Sequence, residues 1–171
     1  MFKKNFATAP AGIPPGPGAL LLLAALAAGC ASLPPLPPPA LSAPQWTISS
    51  GQALWKSRPD APEIAGDILV ATTPGRSFVQ FTKTPFTLVT AQTASNTWQL
   101  EIPAENRRYT RRGSPPAQVL WLQLPRAMSG QALPENVRWN VAQSGWKLEN
   151  TATGESIEGY FSNAPVGAGR P

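Results

Sequence analysis

Apolar and polar residues alternate with a period of two through much of the chain after residue 45. In TWQLEIP, Trp98, Leu100 and Ile102 share one face of an extended strand. In VRWNV, Trp139 shares a face with the two valines and alternates with polar residues. This alternation is typical of half-buried antiparallel strands and does not match the helix period of about 3.6 residues. It predicts a mainly β domain with strands at 45–56, 64–73, 76–83, 86–94, 97–102, 106–111, 136–142, 146–151 and 155–161.

Turn-forming residues separate the predicted strands. Pairs such as Pro74-Gly75 and Ser95-Asn96 leave room for only short connections. Strands joined by short connections are usually neighbours in a sheet, so the turns predict an antiparallel meander.

One segment, PPAQVLWLQLPRAMSG, breaks the alternation because it is too densely apolar for a one-sided strand. A helix at 116–128 can begin at Pro116, although Pro125 would bend or end it. A buried strand at 119–124 explains the same residues equally well. If the segment is helical, it must cover the apolar face of the sheet.

The single cysteine of the chain stands at the end of an apolar run, in LLLAALAAGC. Lys3 and Lys4 precede the run, and this order of charged, apolar and small residues is that of a secretory signal. The run at 19–29 would span only about 16 Å as a helix, roughly half of the hydrocarbon core of a bilayer. LAAGC resembles the bacterial lipobox, so we expect residues 1–29 to be a signal peptide and Cys30 to carry diacylglyceryl and N-acyl lipid. The alternative is an ordinary cleavage site beside a cysteine.

A proline-rich stretch follows the cysteine. ASLPPLPPPALSAP is unsuited to a helix or a central strand because proline lacks a backbone donor and fixes φ. Residues 30–44 are therefore predicted to be a lipidated stalk of about 40 Å, ahead of a folded domain at 45–161 and a flexible tail at 162–171. Ala31 occupies the position where aspartate retains bacterial lipoproteins in the inner membrane, which favours the outer membrane, facing the periplasm.

The charge of the chain is mildly basic. The sequence has 14 basic and 9 acidic residues, and loss of Lys3 and Lys4 with the signal would leave a net charge of +3. This excess does not predict nucleic-acid binding, which needs a dense basic face. The local cluster in NRRYTRRG is interpreted as a solvated strand and turn, with an anion or lipid-headgroup site as the alternative. Its members are Arg107, Arg108, Arg111 and Arg112.

Residues that support common enzyme chemistry are missing from the sequence. There is no histidine, so neither a histidine-dependent triad nor a histidine metal site can form, and the one cysteine is assigned to lipid attachment. Asp60, Glu63 and Asp67 form the tightest acidic group, but their spacing matches no metal-binding loop. The sequence therefore predicts a protein that is not an enzyme and has no cofactor other than the lipid on Cys30.

The predicted domain has a surplus of large apolar side chains, including all six tryptophans of the chain. These side chains fill the core if the sheet packs fully. A single sheet with one covering helix could equally leave an apolar concave face open to an acyl chain.

The sequence resembles the LolA/LolB-like superfamily of lipoprotein carriers and receptors. The resemblance depends on ISSGQALWKS as an opening strand, the meander IAGDILVATTPGRSFVQFTKTPFTLVTAQTASNTWQLEIP, and the helix-like segment before VRWNV. The family fold is an open half-barrel of antiparallel strands with helices across its mouth, so the resemblance implies an open half-barrel with one short covering helix. It also implies an acyl pocket lined or capped by Trp98, Leu100, Trp121, Leu122, Trp139 and Trp146.

Members of that family bind the acyl groups of lipoproteins, and the membrane-anchored type receives cargo from a soluble carrier. This chain is shorter, and its hairpin TTPGRS lacks the protruding apolar side chain used in delivery. The expected function is therefore binding of acyl chains or lipoproteins by a membrane-anchored half-barrel, in lipoprotein or lipid trafficking to the outer membrane. Its expected partners are membrane lipid, lipoproteins and a periplasmic carrier protein. The alternative is a structural or assembly lipoprotein that docks onto an envelope protein.

Overall fold

The computed structural model of the protein describes residues 33–162, which form nine β-strands and one α-helix. The strands pair antiparallel in one sheet, so the predicted mainly β fold is confirmed. Every strand begins and ends within two residues of its predicted bounds. The strands are β1 (Thr47–Lys56), β2 (Ile64–Thr73), β3 (Arg76–Lys83), β4 (Phe86–Ala94), β5 (Thr97–Ile102), β6 (Arg107–Arg112), β7 (Val137–Ala142), β8 (Gly145–Asn150) and β9 (Ser156–Phe161). A 3₁₀ turn at Pro103–Glu105 precedes β6, and helix α1 (Leu120–Met128) precedes β7.

The strands lie in the order β6-β5-β4-β3-β2-β1-β9-β8-β7. β1 to β6 form one meander and β7 to β9 form a second, and the pairing of β1 with β9 joins the two. The predicted meander is therefore correct within each part, while the seam between the first and last strands is not apparent from the turns. β6 and β7 remain as edges, so the sheet is open, as the half-barrel prediction requires.

Two glycines let β1 and β9 approach closely at this seam. A Cβ atom added to Gly159 would collide with the carbonyl oxygen of Gln52, and one added to Gly51 would collide with that of Tyr160. Larger residues at these positions would force the paired strands apart, because the obstacle in both cases is backbone rather than a movable side chain.

Helix α1 lies across one face of the sheet and packs against β2, β3, β4 and β8. The predicted helix is confirmed over the competing strand, but it begins four residues later than Pro116 because Val119 is extended. Pro125 does not end it. The carbonyl oxygen of Pro125 accepts a hydrogen bond from the Ser129 amide at 3.1 Å. The helix also buries most of its side chains, and burial outweighs the unfavourable helix propensity of one proline.

We call the face of the sheet beneath α1 the inner face and the opposite one the outer face. Side chains alternate between the two faces along each strand. On the inner face Ile68 and Phe81 are paired across β2 and β3, and Leu148 and Ile157 are paired across β8 and β9. All four are almost fully buried, so the core lies between the helix and both parts of the sheet.

The proline-rich stretch, described over residues 33–44, contacts the outer face of the sheet through the backbone of Leu36. The Leu36 amide donates to Gln99 Oε1 at 2.8 Å, and Gln92 Nε2 donates to the Leu36 carbonyl oxygen at 3.4 Å. Both glutamines are buried by this contact. Proline makes the chain stiff, but it does not prevent one backbone unit from binding two amide side chains that the sheet presents side by side.

Some predictions concern residues that the structure does not describe. The signal peptide at 1–29, the lipid attachment at Cys30 and the tail beyond residue 162 all lie outside the described range. Within residues 33–162, no helix has both the length and the apolar character needed to cross a bilayer.

Candidate functional site

The six residues predicted to line an acyl pocket come together on the inner face, but as parts of the core. Leu100, Trp121, Leu122 and Trp146 are buried in a single apolar cluster. The remaining two, Trp98 and Trp139, are half-buried and pack against the same cluster. The six residues predicted from the sequence therefore belong to the core or pack against it.

Aromatic contacts occupy the space in which the predicted pocket would lie. The Trp121 ring stands 5.2 Å from Phe81 and 5.5 Å from Trp55, measured between ring centroids. On the other side of the helix, Trp146 lies between Trp139 at 5.5 Å and Phe161 at 5.1 Å. Such spacings are those of packed aromatic pairs. Of the two interpretations of the tryptophans, the filled core is therefore correct for this part of the structure.

An open groove of about 720 Å³ lies on the outer face instead; we call it the outer groove. Its floor is formed by β2, β1 and β9, which are neighbours at the centre of the sheet. The β3–β4 hairpin lines one side of it and the β7–β8 hairpin lines the other. The main lining side chains are Gln52, Leu54, Asp67, Thr82, Lys83, Asn140, Lys147, Glu158 and Tyr160.

The lining combines apolar surface with charge. Leu54 is 37% exposed and Tyr160 is 48% exposed, and the Tyr160 hydroxyl donates to Gln52 Oε1 at 2.8 Å. Lys147 Nζ lies 3.7 Å from Glu158 Oε2 in an exposed ion pair. These groups can be approached from solvent, and an ion pair of this kind adds little stability by itself. The groove can therefore exchange its own polar contacts for those of a ligand at small cost.

The same two hairpins present large exposed apolar side chains. Phe86 in the β3–β4 hairpin is 70% exposed, and Val141 in the β7–β8 hairpin is 71% exposed. Phe86 is paired with Lys83, which lines the groove, and Val141 is paired with Trp146. Val141 therefore shares the inner face with Trp146, and neither Val141 nor Phe86 lines the outer groove itself.

The predicted arginine cluster does not form one surface, because β6 alternates between faces. Arg108 and Arg112 are opposite Glu101 and Thr97 on the outer face, whereas Arg107 and Arg111 belong to the inner face. Arg108 Nη2 lies 2.9 Å from a Glu101 carboxylate oxygen, and this hydrogen bond and charge raise the pKa of the Arg108 guanidinium.

Further along the same strand, Arg107 Nη1 lies 3.0 Å from Glu105. Two of the four arginines are thus neutralised at one end of β6, and Arg111 and Arg112 occupy the other end.

A half-buried carboxyl group was missed by the sequence reasoning. Glu155 lies between β8 and β9, and its Oε1 accepts a hydrogen bond from Trp55 Nε1 at 2.9 Å. Burial raises the pKa of the Glu155 carboxyl, and the hydrogen bond from Trp55 partly opposes this rise. No sequence signal marks this pair, which is formed by residues a hundred positions apart.

Replacing Glu155 by glutamine is expected to weaken the pH dependence of stability. Because its pKa is raised in the folded state, Glu155 contributes stability below its unfolded pKa that is lost as the pH rises through the folded one. The amide would still accept the bond from Trp55 Nε1 and would bear no charge. Urea unfolding between about pH 4 and about pH 7 should show a smaller loss of stability for the variant. Equal losses in the two chains would contradict this role.

The described residues contain no group of three or more cysteine or acidic side chains arranged to hold a metal ion. Asp60, Glu63 and Asp67 are instead engaged elsewhere. Glu63 lies 3.8 Å from Lys56, Asp60 lies 4.0 Å from Arg58, and Asp67 accepts a hydrogen bond from Thr84 at 3.4 Å.

No known protein-family model matches the chain, and no curated protein sequence shows significant similarity to it. The resemblance to LolA/LolB-like proteins therefore stays a prediction. The class that fold and site define is an open antiparallel sheet with a filled inner face and a groove on its outer face.

Proposed function

We propose that this protein is a lipid-anchored protein of the bacterial cell envelope that docks onto a protein partner through the outer groove. The lipid on Cys30 would hold it at the outer membrane, facing the periplasm, and the domain would bind its partner without catalysing a reaction. The observation that supports docking most directly is the open groove of about 720 Å³, in which Leu54 and Tyr160 are exposed to solvent.

The filled inner face favours docking over acyl binding beneath the helix. To admit an acyl chain there, α1 would have to lift away from the sheet and expose Leu120, Trp121, Leu122 and Leu124, each at most 3% exposed. Exposing a large apolar side chain costs about 1.5–3 kcal/mol. An acyl chain would have to offset the cost of exposing all four side chains before it could bind with any net affinity.

The lining of the outer groove suits a segment of polypeptide. Leu54 and Tyr160 offer apolar contact, while Asp67 and Lys83 offer charges of both signs within the same lining. A volume of about 720 Å³ lies within the usual range of binding clefts, about 300–1,000 Å³. A mixed lining of this kind resembles an ordinary protein interface more than a uniformly apolar acyl site.

The docking proposal is tested by photo-crosslinking in intact cells. A photoreactive phenylalanine derivative at position 160 is expected to link the protein to a defined envelope protein. The same derivative at position 109 provides the matched control, since Tyr109 is similarly exposed but lies on β6, outside the groove. The position-160 product should disappear when Asp67→Lys and Lys83→Glu reverse the groove charges. Products of equal yield from both positions would contradict docking in the groove.

Binding of an acyl chain or a lipoprotein in the same groove is the second candidate function, favoured by the exposed apolar surface of Leu54. It would place the protein in lipoprotein or lipid trafficking. In this case a fluorescent fatty acid should bind the purified protein, and Leu54→Gln should weaken the binding by at least about tenfold if the side chain is buried on binding. Binding that is insensitive to Leu54→Gln and Tyr160→Gln would show that the fatty acid occupies another place.

A further inference from the structure

Three arginines lie at the same end of the sheet, which we call the arginine end: Arg76, Arg111 and Arg112. Arg76 begins β3 and is opposite Ala94, Ala94 is opposite Thr97, and Thr97 is opposite Arg112. These four residues therefore form one row across β3 to β6. Arg111 is the neighbour of Arg112 on the same strand and turns to the inner face.

No acidic side chain compensates this end within residues 33–162. The ion pairs of the described residues involve Lys56, Arg58, Arg107, Arg108 and Lys147, and none involves an arginine of the arginine end. Glu101 and Glu105 lie at or beyond the other end of β5. The arginine end therefore has three positive charges that face no carboxylate.

An aromatic ring accompanies these charges. The Arg76 guanidinium carbon lies 5.7 Å from the ring centroid of Trp46, and Arg76 Nε is buried without a hydrogen-bond partner in the described structure. Tryptophan beside arginine is a combination suited to a membrane interface, where the indole meets the headgroup region and the cation meets phosphate.

The membrane attachment point is close in sequence to this surface. Leu36 is bound to Gln99, which is two residues from Thr97 and on the same face as Arg112. Leu36 is six positions after Cys30, so the two are at most about 20 Å apart. A lipid on Cys30 would thus keep β5 and β6 within reach of the bilayer, and the distribution of charge decides which end of these strands approaches it.

We propose that the arginine end lies against anionic phospholipid headgroups. This inference rests on the proposed lipid anchor and adds an orientation to it. β3 has eight residues, so its Lys83 end, which lines the outer groove, is roughly 23 Å from its Arg76 end. With the arginine end on the bilayer, the outer groove lies toward the opposite end of the strands, at a distance from the membrane where a periplasmic partner can reach it.

The test uses the full-length Cys30→Ala chain, which isolates the arginine contribution from that of the lipid. Its partitioning onto phosphatidylcholine vesicles with and without phosphatidylglycerol is measured by flotation at low salt. We expect binding only with the anionic lipid. The double substitution Arg111→Gln and Arg112→Gln should reduce the partition coefficient about thirtyfold, which is about 1 kcal/mol for each arginine.

The matched control is Arg107→Gln with Arg108→Gln, which removes the same charge from the same strand but at its ion-paired end. This pair should reduce binding by less than about threefold. Equal losses from the two pairs, or no preference of the Cys30→Ala chain for anionic vesicles, would overturn the proposed orientation. Failure of the lipid anchor is read separately, because it would leave the wild-type chain in the aqueous phase of a detergent partition.

Discussion

Replacing Trp121 by alanine is expected to lower the free energy of unfolding by about 3–5 kcal/mol. Trp121 is the residue of α1 that contacts the aromatic rings of the sheet, at 5.2 Å from Phe81 and 5.5 Å from Trp55. It is 3% exposed, so the substitution would leave a cavity that the surrounding strands cannot close. Chemical denaturation followed by circular dichroism measures the change.

The same variant distinguishes a structural helix from a movable lid. If α1 were a loosely held lid over an acyl site, Trp121→Ala would cost less than about 1 kcal/mol and would leave fatty-acid binding intact or improved. Phe86→Ala is the control, because that ring is equally aromatic but 70% exposed, and its loss should change stability by less than about 0.5 kcal/mol. Similar small effects of both substitutions would contradict the filled core.

Strands such as β5 could be predicted because the alternation of apolar and polar residues in their sequence reflects which face is buried. A half-buried strand must alternate, and Trp98, Leu100 and Ile102 do so because only one face of β5 meets the core. The pairing of β1 with β9 has no comparable pattern in the sequence. Gly51 and Phe161 pair across 110 positions, and a close backbone approach requires only that glycines stand there.

The errors in the predicted site have a common physical cause. A large apolar side chain is required equally by a packed core and by a lined cavity, so the sequence cannot separate the two for Trp121 or Trp146. The difference depends on whether rings from distant segments meet, as Trp146 and Phe161 do at 5.1 Å. The outer groove could not be predicted because its lining is largely polar. Residues such as Gln52 and Asp67 occur equally on the solvent-exposed face of any strand.

The proline-rich stretch shows the same limit. Its composition argues against regular secondary structure, and the structure has neither helix nor strand at 33–39. The composition does not show which residues of the domain this stretch will contact. Gln92 and Gln99 are adjacent only because β4 pairs with β5 in one register, and together they hold the backbone of Leu36.

Cys30→Ala is expected to have the largest effect on location, moving the protein from the detergent phase to the aqueous phase of a detergent partition. Each buried methylene contributes about 0.8 kcal/mol, and one acyl chain holds a protein only marginally, whereas two or more hold it stably. The variant would lose all of them at once, and radiolabelled palmitate should no longer be incorporated. Ser32→Ala, two residues away, should leave both readouts unchanged.

The membrane binding that remains in the Cys30→Ala chain tests the contribution of the sheet separately from that of the lipid. If the arginine end contacts headgroups, the variant should keep a weak attachment to anionic membranes that disappears at high salt, because exposed charges are screened within about 10 Å at 0.1 M ionic strength. The lipid supplies affinity, and Arg111 and Arg112 supply orientation. Wild-type protein that stays in the aqueous phase without palmitate would contradict the anchor, and the outer groove would then have to find its partner from solution.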